Sequence, residues 1–154
     1  MKDRPILTRQ LVFDFLSQHK LMAVATSGEY LWIATVYYTF DDKLNIYFLS
    51  SSATLHAKQI MKNPSVAVAI ADSHQGIDKP KRGLQLYGIA EQISGMEKVK
   101  YALKLWKTNL HVVDSSLTYK TATGKMFRIV PKRIKLFDHK LFRVKDGEEP
   151  ILEL

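Results

Sequence analysis

The sequence contains no cysteine. Without a thiol the chain has no disulfide, no thiolate metal ligand and no cysteine nucleophile. It also has no apolar run near the roughly 20 residues that span a bilayer. The segment Met1–Pro5 has a basic start but lacks the apolar core and cleavage site of a signal peptide. For a chain of 154 residues, these absences predict one domain, residues 1–154, in the cytoplasm.

Recognisable catalytic motifs are equally scarce. The five histidines are scattered, and none has an H-E-x-x-H or comparable ligand spacing, so no metal site is predicted. The chain has no G-x-S-x-G elbow, no P-loop and no G-x-G-x-x-G. Asp41 and Asp42 form a carboxylate pair, but they lie at an expected hairpin tip, where aspartate favours turns. The sequence therefore argues against metal and nucleophilic catalysis.

Positive charge is what the chain has in excess, with a formal net charge of +8. The excess lies from Lys79 onwards, because acidic and basic residues balance in the preceding half. A basic half suits an anionic partner such as a phosphorylated cofactor, a nucleic acid or an acidic surface. A solvated, lysine-rich face that maintains solubility explains the same charge more simply.

Apolar periodicity predicts a mostly β (α+β) fold. Thr8 is a suitable N-cap for the first helix, and Asn63-Pro64 ends the second. The predicted helices are Thr8–His19, Ala53–Met61 and one that opens at Ser94-Gly95-Met96-Glu97. The predicted strands are Leu21–Thr26, Leu31–Phe40, Leu44–Ser50, Val66–Ala71, Leu84–Ile93, Met126–Val130, Ile134–Phe137 and Leu141–Val144. Antiparallel strands of this number with three helices favour a β-barrel with helical caps.

Local patterns give finer predictions. Two short turns join the first three strands, which predicts an antiparallel meander. Val66–Ala71 is apolar throughout, as a strand buried on both faces would be. Ser94 and Glu97 have the spacing of a capping box. The helix that they open carries four apolar residues at helical spacing, Val99, Ala102, Leu103 and Trp106, with lysines around them, which is typical of an amphipathic helix.

The most informative stretch is rich in hydroxyl groups and lies where a strand ends and a helix begins. It contains Ser50, Ser51, Ser52 and Thr54. A helix N-terminus has free N–H groups and a partial positive charge, so it is a ready anion site. His56 and Lys58 would add cationic potential in the first turns, which suits a phosphate monoester. Plain N-capping explains the same hydroxyl groups equally well.

The order of these segments resembles a known family. The helix and hairpin are followed by an Asp-Asp-Lys turn, by NIYFLSSSATLHAKQIMKNPSVAV, by RGLQLYGIAEQI and by FRIVPKRIKLFD. This order is similar to the FMN-binding split-barrel family related to pyridoxamine 5′-phosphate oxidase, and within it to the YhbP-like group. The resemblance covers about Leu11 to Asp138. It implies an antiparallel split β-barrel with three flanking helices and FMN as the cofactor.

The resemblance also implies which residues bind the flavin. The strand of Thr35, Val36 and Tyr37 would face the isoalloxazine ring. The hydroxyl groups of Ser50 and Thr54, with neighbouring Ser51, would hold the phosphate together with His56. Gln85 would reach the ring edge. Family members are usually homodimers with the cofactor at the interface, so Arg128, Lys132 and Arg133 would either reach the partner's cofactor or lie in solvent on strand edges.

Two departures from the family pattern limit the function that the resemblance implies. Leu55-His56 stands where the oxidases have an Arg-Lys pair, so the phosphate site carries less positive charge. The chain ends in Glu148–Leu154 without the Arg- and His-bearing segment that binds substrate in those oxidases. Oxidation of vitamin B6 is therefore not expected.

Three functions agree with the sequence. The first is an FMN-dependent oxidoreductase, in which the flavin carries the redox chemistry and no conspicuous catalytic side chain is needed. The second is a flavin-binding protein without turnover, with haem or a deazaflavin as alternative ligands. The third is a nucleic-acid-binding barrel that uses the lysine-rich helix Met96–Lys107 with Tyr101, Trp106 and Phe127. Trp106 fits equally well as a core residue of that helix.

Overall fold

The computed structural model describes residues 4–154, and Met1–Asp3, part of the segment tested for a signal peptide, lie outside the described residues. The helices of the described part are α1 (Arg9–Ser17), α2 (Leu55–Lys62), α3 (Met96–Leu110) and α4 (Tyr119–Ala122). Its strands are β1 (Leu21–Ser27), β2 (Leu31–Tyr37), β3 (Thr39–Phe40), β4 (Ile46–Leu49), β5 (Ser65–Ala71), β6 (Arg82–Gln92), β7 (Met126–Asp138) and β8 (Ile151–Glu153). None of the helices in residues 4–154 is long and apolar enough to cross a bilayer.

One antiparallel sheet contains all eight strands, in the order β2-β1-β5-β6-β7-β4-β3, and β8 pairs with β7. The edge strand β2 lies beside β4 without pairing to it, so the sheet curls almost to closure. The inner face of the curled sheet is lined by alternate apolar side chains that form the core with α1 and α2. This is the antiparallel split barrel that the sequence predicted, with the short α4 as an additional helix.

Both hairpins of the predicted meander are present, because β1 pairs with β2 and β3 with β4, but the strand predicted at Leu31–Phe40 is divided between the two edges of the sheet. After β2 the chain passes through Tyr38, and β3 then pairs with β4 at the other edge of the sheet. Tyr38 is almost fully buried, and its hydroxyl donates to the carbonyl of Leu16 at 2.8 Å. A single buried residue thus links the two edges of the barrel, which a local strand pattern does not reveal.

Strand β5 is buried on one face, which corrects the prediction of burial on both. Val66, Val68 and Ile70 point into the core, whereas Ala67 and Ala69 are exposed. Alanine is apolar but small, so hydropathy alone does not distinguish an outward alanine from a buried one. The alternation of valine and alanine is the signal that marks the two faces.

The second half of the chain contains three further corrections. The strands predicted at Met126–Val130 and Ile134–Phe137 are one strand, β7, interrupted by a bulge after Pro131, which has no N–H to donate. Leu141–Val144 is not a strand. The predicted Ser94–Glu97 capping box does not form. The N-cap of α3 is Gly95, at a φ of 95°, which has no side chain to cap the helix, so α3 begins one residue later than the box requires. The four predicted core residues of α3 are all buried.

Candidate functional site

The hydroxyl-rich segment lies between β4 and α2, as the sequence predicted. The N–H of Ser50 donates to the carbonyl of Lys125 at 2.8 Å, which fixes the end of β4 against the start of β7. The Ser50 hydroxyl lies 2.7 Å from Nε2 of His56, and the Thr54 hydroxyl lies 3.4 Å from the same atom. Three of the predicted phosphate ligands therefore meet at one point.

Thr54 is also the N-cap of α2. Its hydroxyl accepts from the N–H of Ala57 at 3.4 Å and donates to the carbonyl of Ser51 at 2.8 Å. N-capping and anion binding are compatible here, because the N–H groups at the first positions of a helix have no partner within the helix. The exposed Ser51 and Ser52 flank this turn.

His56 contributes a buried, uncharged ring to this cluster. Its exposed fraction is 9%, and burial lowers the pKa of its imidazole below the ordinary value of 6.5. The ring is therefore largely neutral near pH 7, so it does not supply the cationic potential expected from the sequence. The anion-binding capacity of the cluster rests on hydroxyl groups and backbone N–H groups.

Gln59 fastens α2 to the hairpin between β1 and β2. Its side-chain carbonyl accepts from the hydroxyl of Thr26 at 2.6 Å, and its amide donates to the carbonyl of Tyr30 at 3.0 Å. A Cβ at Gly28 would lie about 3.0 Å from the Gln59 side chain, so a larger residue there would press against Gln59. These bonds hold the hydroxyl cluster and β2 in one rigid unit.

Strand β2 has one edge paired with β1 over its full length and no strand partner on the other edge among residues 4–154. Thr35 and Tyr37 point outward and are exposed, whereas Val36 is half-buried against the core. A flat ligand can therefore meet the free backbone groups of β2 and two of its side chains. Val36 can offer only its backbone to such a ligand.

The outer face of the sheet carries a row of residues in register. Thr35 lies opposite Ala23, Ala23 opposite Ala69, Ala69 opposite Gln85, and Gln85 opposite Lys135. Two strands separate Thr35 from Gln85, which places them about 14 Å apart at the usual strand spacing. A shallow depression of about 440 Å³ crosses this face. Its floor is made by the alanines of β1 and β5, which sequence reasoning missed as site residues.

Large apolar side chains are exposed around the same face. They are Leu21, Leu31, Ile33, Tyr37, Tyr87 and Ile151, with exposed fractions from 46% to 79%. The strand alternation places all six on the outer side of the sheet, together with the alanine floor. Contiguous apolar surface of this kind marks a binding or association surface.

The basic residues suggested as reaching a partner's cofactor have acidic neighbours within the same chain. Arg128 forms an ion pair with Glu91, and Arg133 with Glu153. Lys132 is exposed. No cluster of His, Asp or Glu that could hold a metal ion occurs in the part of the chain that the structure describes.

Asp41 does the turn chemistry that its position predicts. Its carboxylate accepts from the backbone N–H groups of Lys43 and Asn45 at 2.9 Å each, and from the Tyr47 hydroxyl at 2.9 Å. Burial, followed by the adjacent Asp41 charge, raises the pKa of Tyr47 far above its ordinary value. This carboxylate is therefore fully occupied in shaping the β3–β4 hairpin.

Comparison of the sequence with models of known protein families identifies the family of this chain. The model described as pyridoxamine 5′-phosphate oxidase matches residues 8–135, most of the chain. The chain belongs to the pyridoxamine 5′-phosphate oxidase family. The family inferred from the sequence is thereby confirmed. A UPF0306 protein of Yersinia pseudotuberculosis, from the YhbP-like group, is 32% identical over 87 residues, which cover 55% of this chain and 58% of that relative.

Several solved structures share this fold. Rv2991 of Mycobacterium tuberculosis has a TM-score of 0.74 at 16% identity, covering 94% of this chain and 93% of that one. A FAD-binding protein of Mesorhizobium loti has a TM-score of 0.61 at 14% identity, covering 83% and 90%. A heme binding protein of Mycobacterium smegmatis has a TM-score of 0.59 at 18% identity, covering 87% and 52%. At these identities the likeness shows the fold alone.

Proposed function

We propose that this member of the pyridoxamine 5′-phosphate oxidase family is a single-domain, FMN-binding protein. The observation that carries the proposal is the position of a hydroxyl-rich helix start beside a free strand edge. The Gln59 bonds hold α2 against the β1–β2 hairpin, so the phosphate site and the ring site belong to one rigid unit. An FMN molecule needs both, because it carries a dianionic phosphate and a flat, polar-edged ring.

The residues present fit an FMN phosphate through hydrogen bonds rather than through charge. Ser50 and Thr54 bring two hydroxyl groups to one point, and Ser51 is exposed beside them. The N-terminus of α2 adds a partial positive charge. Nε2 of His56 lies 2.7 Å from the Ser50 hydroxyl and fixes its position.

The isoalloxazine ring would lie along β2. Thr35 and Tyr37 would contact it with their side chains and Val36 with its backbone, since the Val36 side chain packs against the core. A bound flavin supplies hydride or single-electron transfer. The chain's own contribution would be to bind and orient the ring and to exclude water from it, as expected for an oxidoreductase of a small-molecule substrate.

The proposed assembly is a homodimer with the cofactor at the interface. Gln85 lies about 14 Å from Thr35 on the same face, too far for both to bind one edge of a ring within one chain. A second copy packed on the alanine floor would bring its own Gln85 towards the flavin held by β2. It would also cover the exposed apolar side chains of the outer face.

Titration of the purified protein with FMN and with riboflavin tests the proposal. We expect a yellow protein that releases FMN on denaturation and that prefers FMN to riboflavin, which lacks the phosphate. Thr54→Ala should weaken FMN about ten- to hundredfold, because a hydrogen bond to a charged group contributes about 1.5–3 kcal/mol. It should leave the weaker riboflavin affinity nearly unchanged.

Thr8→Ala is the matched control. Thr8 caps α1 as Thr54 caps α2, accepting from the N–H of Leu11 at 3.2 Å. Each substitution should cost about 1 kcal/mol of stability through the lost cap. Equal FMN affinities of the two variants would place the phosphate elsewhere, and a colourless protein that ignores added FMN would refute the proposal.

Haem is the second candidate ligand, because one protein of the same fold is a heme binding protein. The visible spectrum separates the two, since a haem gives a Soret band and a flavin does not. Photoreduction of a bound flavin followed by a screen of electron acceptors then separates an enzyme from a carrier. No acceptor faster than with free FMN would favour a flavin-binding protein without turnover.

A further inference from the structure

The C-terminal segment brings acidic side chains to two basic residues of the outer face. Strand β8 pairs with the second half of β7, with Arg133 opposite Glu153 and Lys135 opposite Ile151. Nε of Arg133 lies 2.7 Å from a carboxylate oxygen of Glu153. Nζ of Lys135 lies 3.8 Å from a carboxylate oxygen of Glu149. Each cation is thus matched by an acid from the last six residues.

These basic residues line the depression on the outer face, together with Gln85 and Ile151. Arg133 and Lys135 are two residues apart on one strand, so their side chains point the same way and start about 7 Å apart. Gln85 is the cross-strand neighbour of Lys135, and its side chain is exposed on the same face. A guanidinium, an ammonium and an exposed amide therefore lie on one wall of the depression.

The two acids that face this wall are held loosely by the basic residues. Arg133 and Glu153 are each 61% exposed, and exposed ion pairs are weak because water and salt screen them. Glu149 is more enclosed, at 12% exposed, but its distance from Lys135 is long for a direct hydrogen bond. An anion that entered the depression could replace both carboxylates.

We propose that Arg133, Lys135 and Gln85 form a subsite for the phosphate or carboxylate group of a substrate, and that Glu149 and Glu153 hold this subsite as internal anions until the substrate displaces them. The proposal deepens the proposed function, on which its assignment to a substrate rests. It assigns the substrate to the phosphates or carboxylates. It also assigns a role to the C-terminal segment, whose acidic side chains occupy the subsite when no substrate is bound.

The subsite is separate from the flavin phosphate site of the same chain. Ser50 is bonded to Lys125, and nine residues of β7 lie between Lys125 and Lys135, about 30 Å measured along the strand. One FMN phosphate bound at the start of α2 leaves Lys135 free. The anion at the outer face is therefore a group other than the phosphate of the FMN that the same chain holds.

Binding of inorganic pyrophosphate to the full chain, measured by calorimetry at low salt, tests the proposal. Glu149→Gln with Glu153→Gln should tighten pyrophosphate binding about fivefold, the effect of removing one or two exposed ion pairs. Glu148→Gln is the control, because Glu148 lies in the same segment, is exposed and makes no ion pair within the described residues. The Glu148→Gln variant should bind pyrophosphate with the same affinity as the unmodified chain.

Removal of the cations gives the converse test. Arg133→Gln with Lys135→Gln should abolish pyrophosphate binding, whereas Lys132→Gln with Lys140→Gln, two exposed lysines, should not. Binding that survives the first pair, a Glu149/Glu153 variant no tighter than Glu148→Gln, or no binding by any variant would overturn the proposal.

Parallel titrations with FMN keep this result apart from the cofactor question. Undiminished pyrophosphate binding at saturating FMN indicates a substrate subsite. Competition between pyrophosphate and FMN would assign the subsite to the flavin phosphate of a partner chain, and competition with FAD alone would assign it to a longer cofactor; either result would overturn the substrate assignment. If the protein does not bind FMN but the Glu149/Glu153 variant still binds pyrophosphate, the flavin proposal is refuted and the anion subsite is supported.

Discussion

At the scale of single residues, His56 shows why side-chain type is a weak guide to charge. In the sequence it stands beside Lys58 and four hydroxyl residues, which favours a cationic interpretation. In the folded chain its ring is buried and meets the Ser50 hydroxyl at 2.7 Å, and burial lowers its pKa. Burial depends on how α2 packs, so no local pattern predicts it.

The lowered pKa of His56 makes stability depend on pH. The unfolded chain binds a proton at this imidazole more readily than the folded chain, so stability should fall as the pH drops below about 6.5 and through the lower folded pKa. Burial, then the Arg82 charge, lowers the pKa of His19 as well. His56→Gln should therefore reduce, without abolishing, the loss of melting temperature between about pH 7.5 and about pH 5.5.

The control for this experiment is His111→Asn. His111 is exposed and has a φ of 54°, a conformation that asparagine tolerates. This variant should keep the full pH slope of the unmodified chain. If the melting temperature of His56→Gln falls with pH as steeply as that of His111→Asn, then burial does not lower the pKa of His56 in the folded state.

At the scale of elements, β6 and β7 show how a bulge shapes the barrel. Tyr87 pairs with Arg133 and Gly88 with Pro131, so Lys132 is the extra residue. Bulges bend a strand and increase its twist, which lets the long β7 pair with β4 in its first half and β8 in its second. The break in alternation at Pro131 is visible in the sequence, where it resembles the end of a strand.

Gly88 is required by the close approach of this bulge. A Cβ there would lie 2.7 Å from the carbonyl oxygen of Val130 and 3.2 Å from Cα of Pro131, both backbone atoms. Gly88→Ala should therefore lower the free energy of unfolding by about 1–3 kcal/mol, measured by urea denaturation. In Gly76→Ala the new Cβ meets only side-chain atoms, Oδ1 of Asp78 at 2.8 Å and Cγ of Lys79 at 3.3 Å, which can move aside, so that control should change little. Equal changes in the free energy of unfolding for Gly88→Ala and Gly76→Ala would mean that β7 shifts to accept the methyl group.

At the scale of the whole molecule, the curled sheet has two unlike faces. The inner face is filled by the core, whereas the outer face shows an alanine floor rimmed by large exposed apolar side chains. This arrangement supports the proposed homodimer, because a second copy would remove that surface from water. The same packing would bring Gln85 of one chain towards β2 of the other.

Ala69→Arg tests the assembly. A charged side chain in the middle of the alanine floor should convert a dimer to a monomer, because a buried, unpaired charge is strongly unfavourable in an interface. Sedimentation velocity measures the change. Thr108→Arg adds the same charge at an exposed position of α3 and should remain dimeric. An unmodified chain that sediments as a monomer, or two variants that behave alike, would contradict the proposed interface.

The sequence by itself determined the family, the antiparallel barrel, the helix that Thr54 caps and the buried side of α3. These depend on local periodicity, capping and element order, which are present in the chain before it folds. Only the tertiary structure decided that β2 and β3 lie at opposite edges of the sheet. It also decided that His56 is buried, that the alanines of β5 face outward, and that Glu149 and Glu153 meet Lys135 and Arg133. Each of these depends on contacts between residues far apart in the chain, whose free energy no local pattern records.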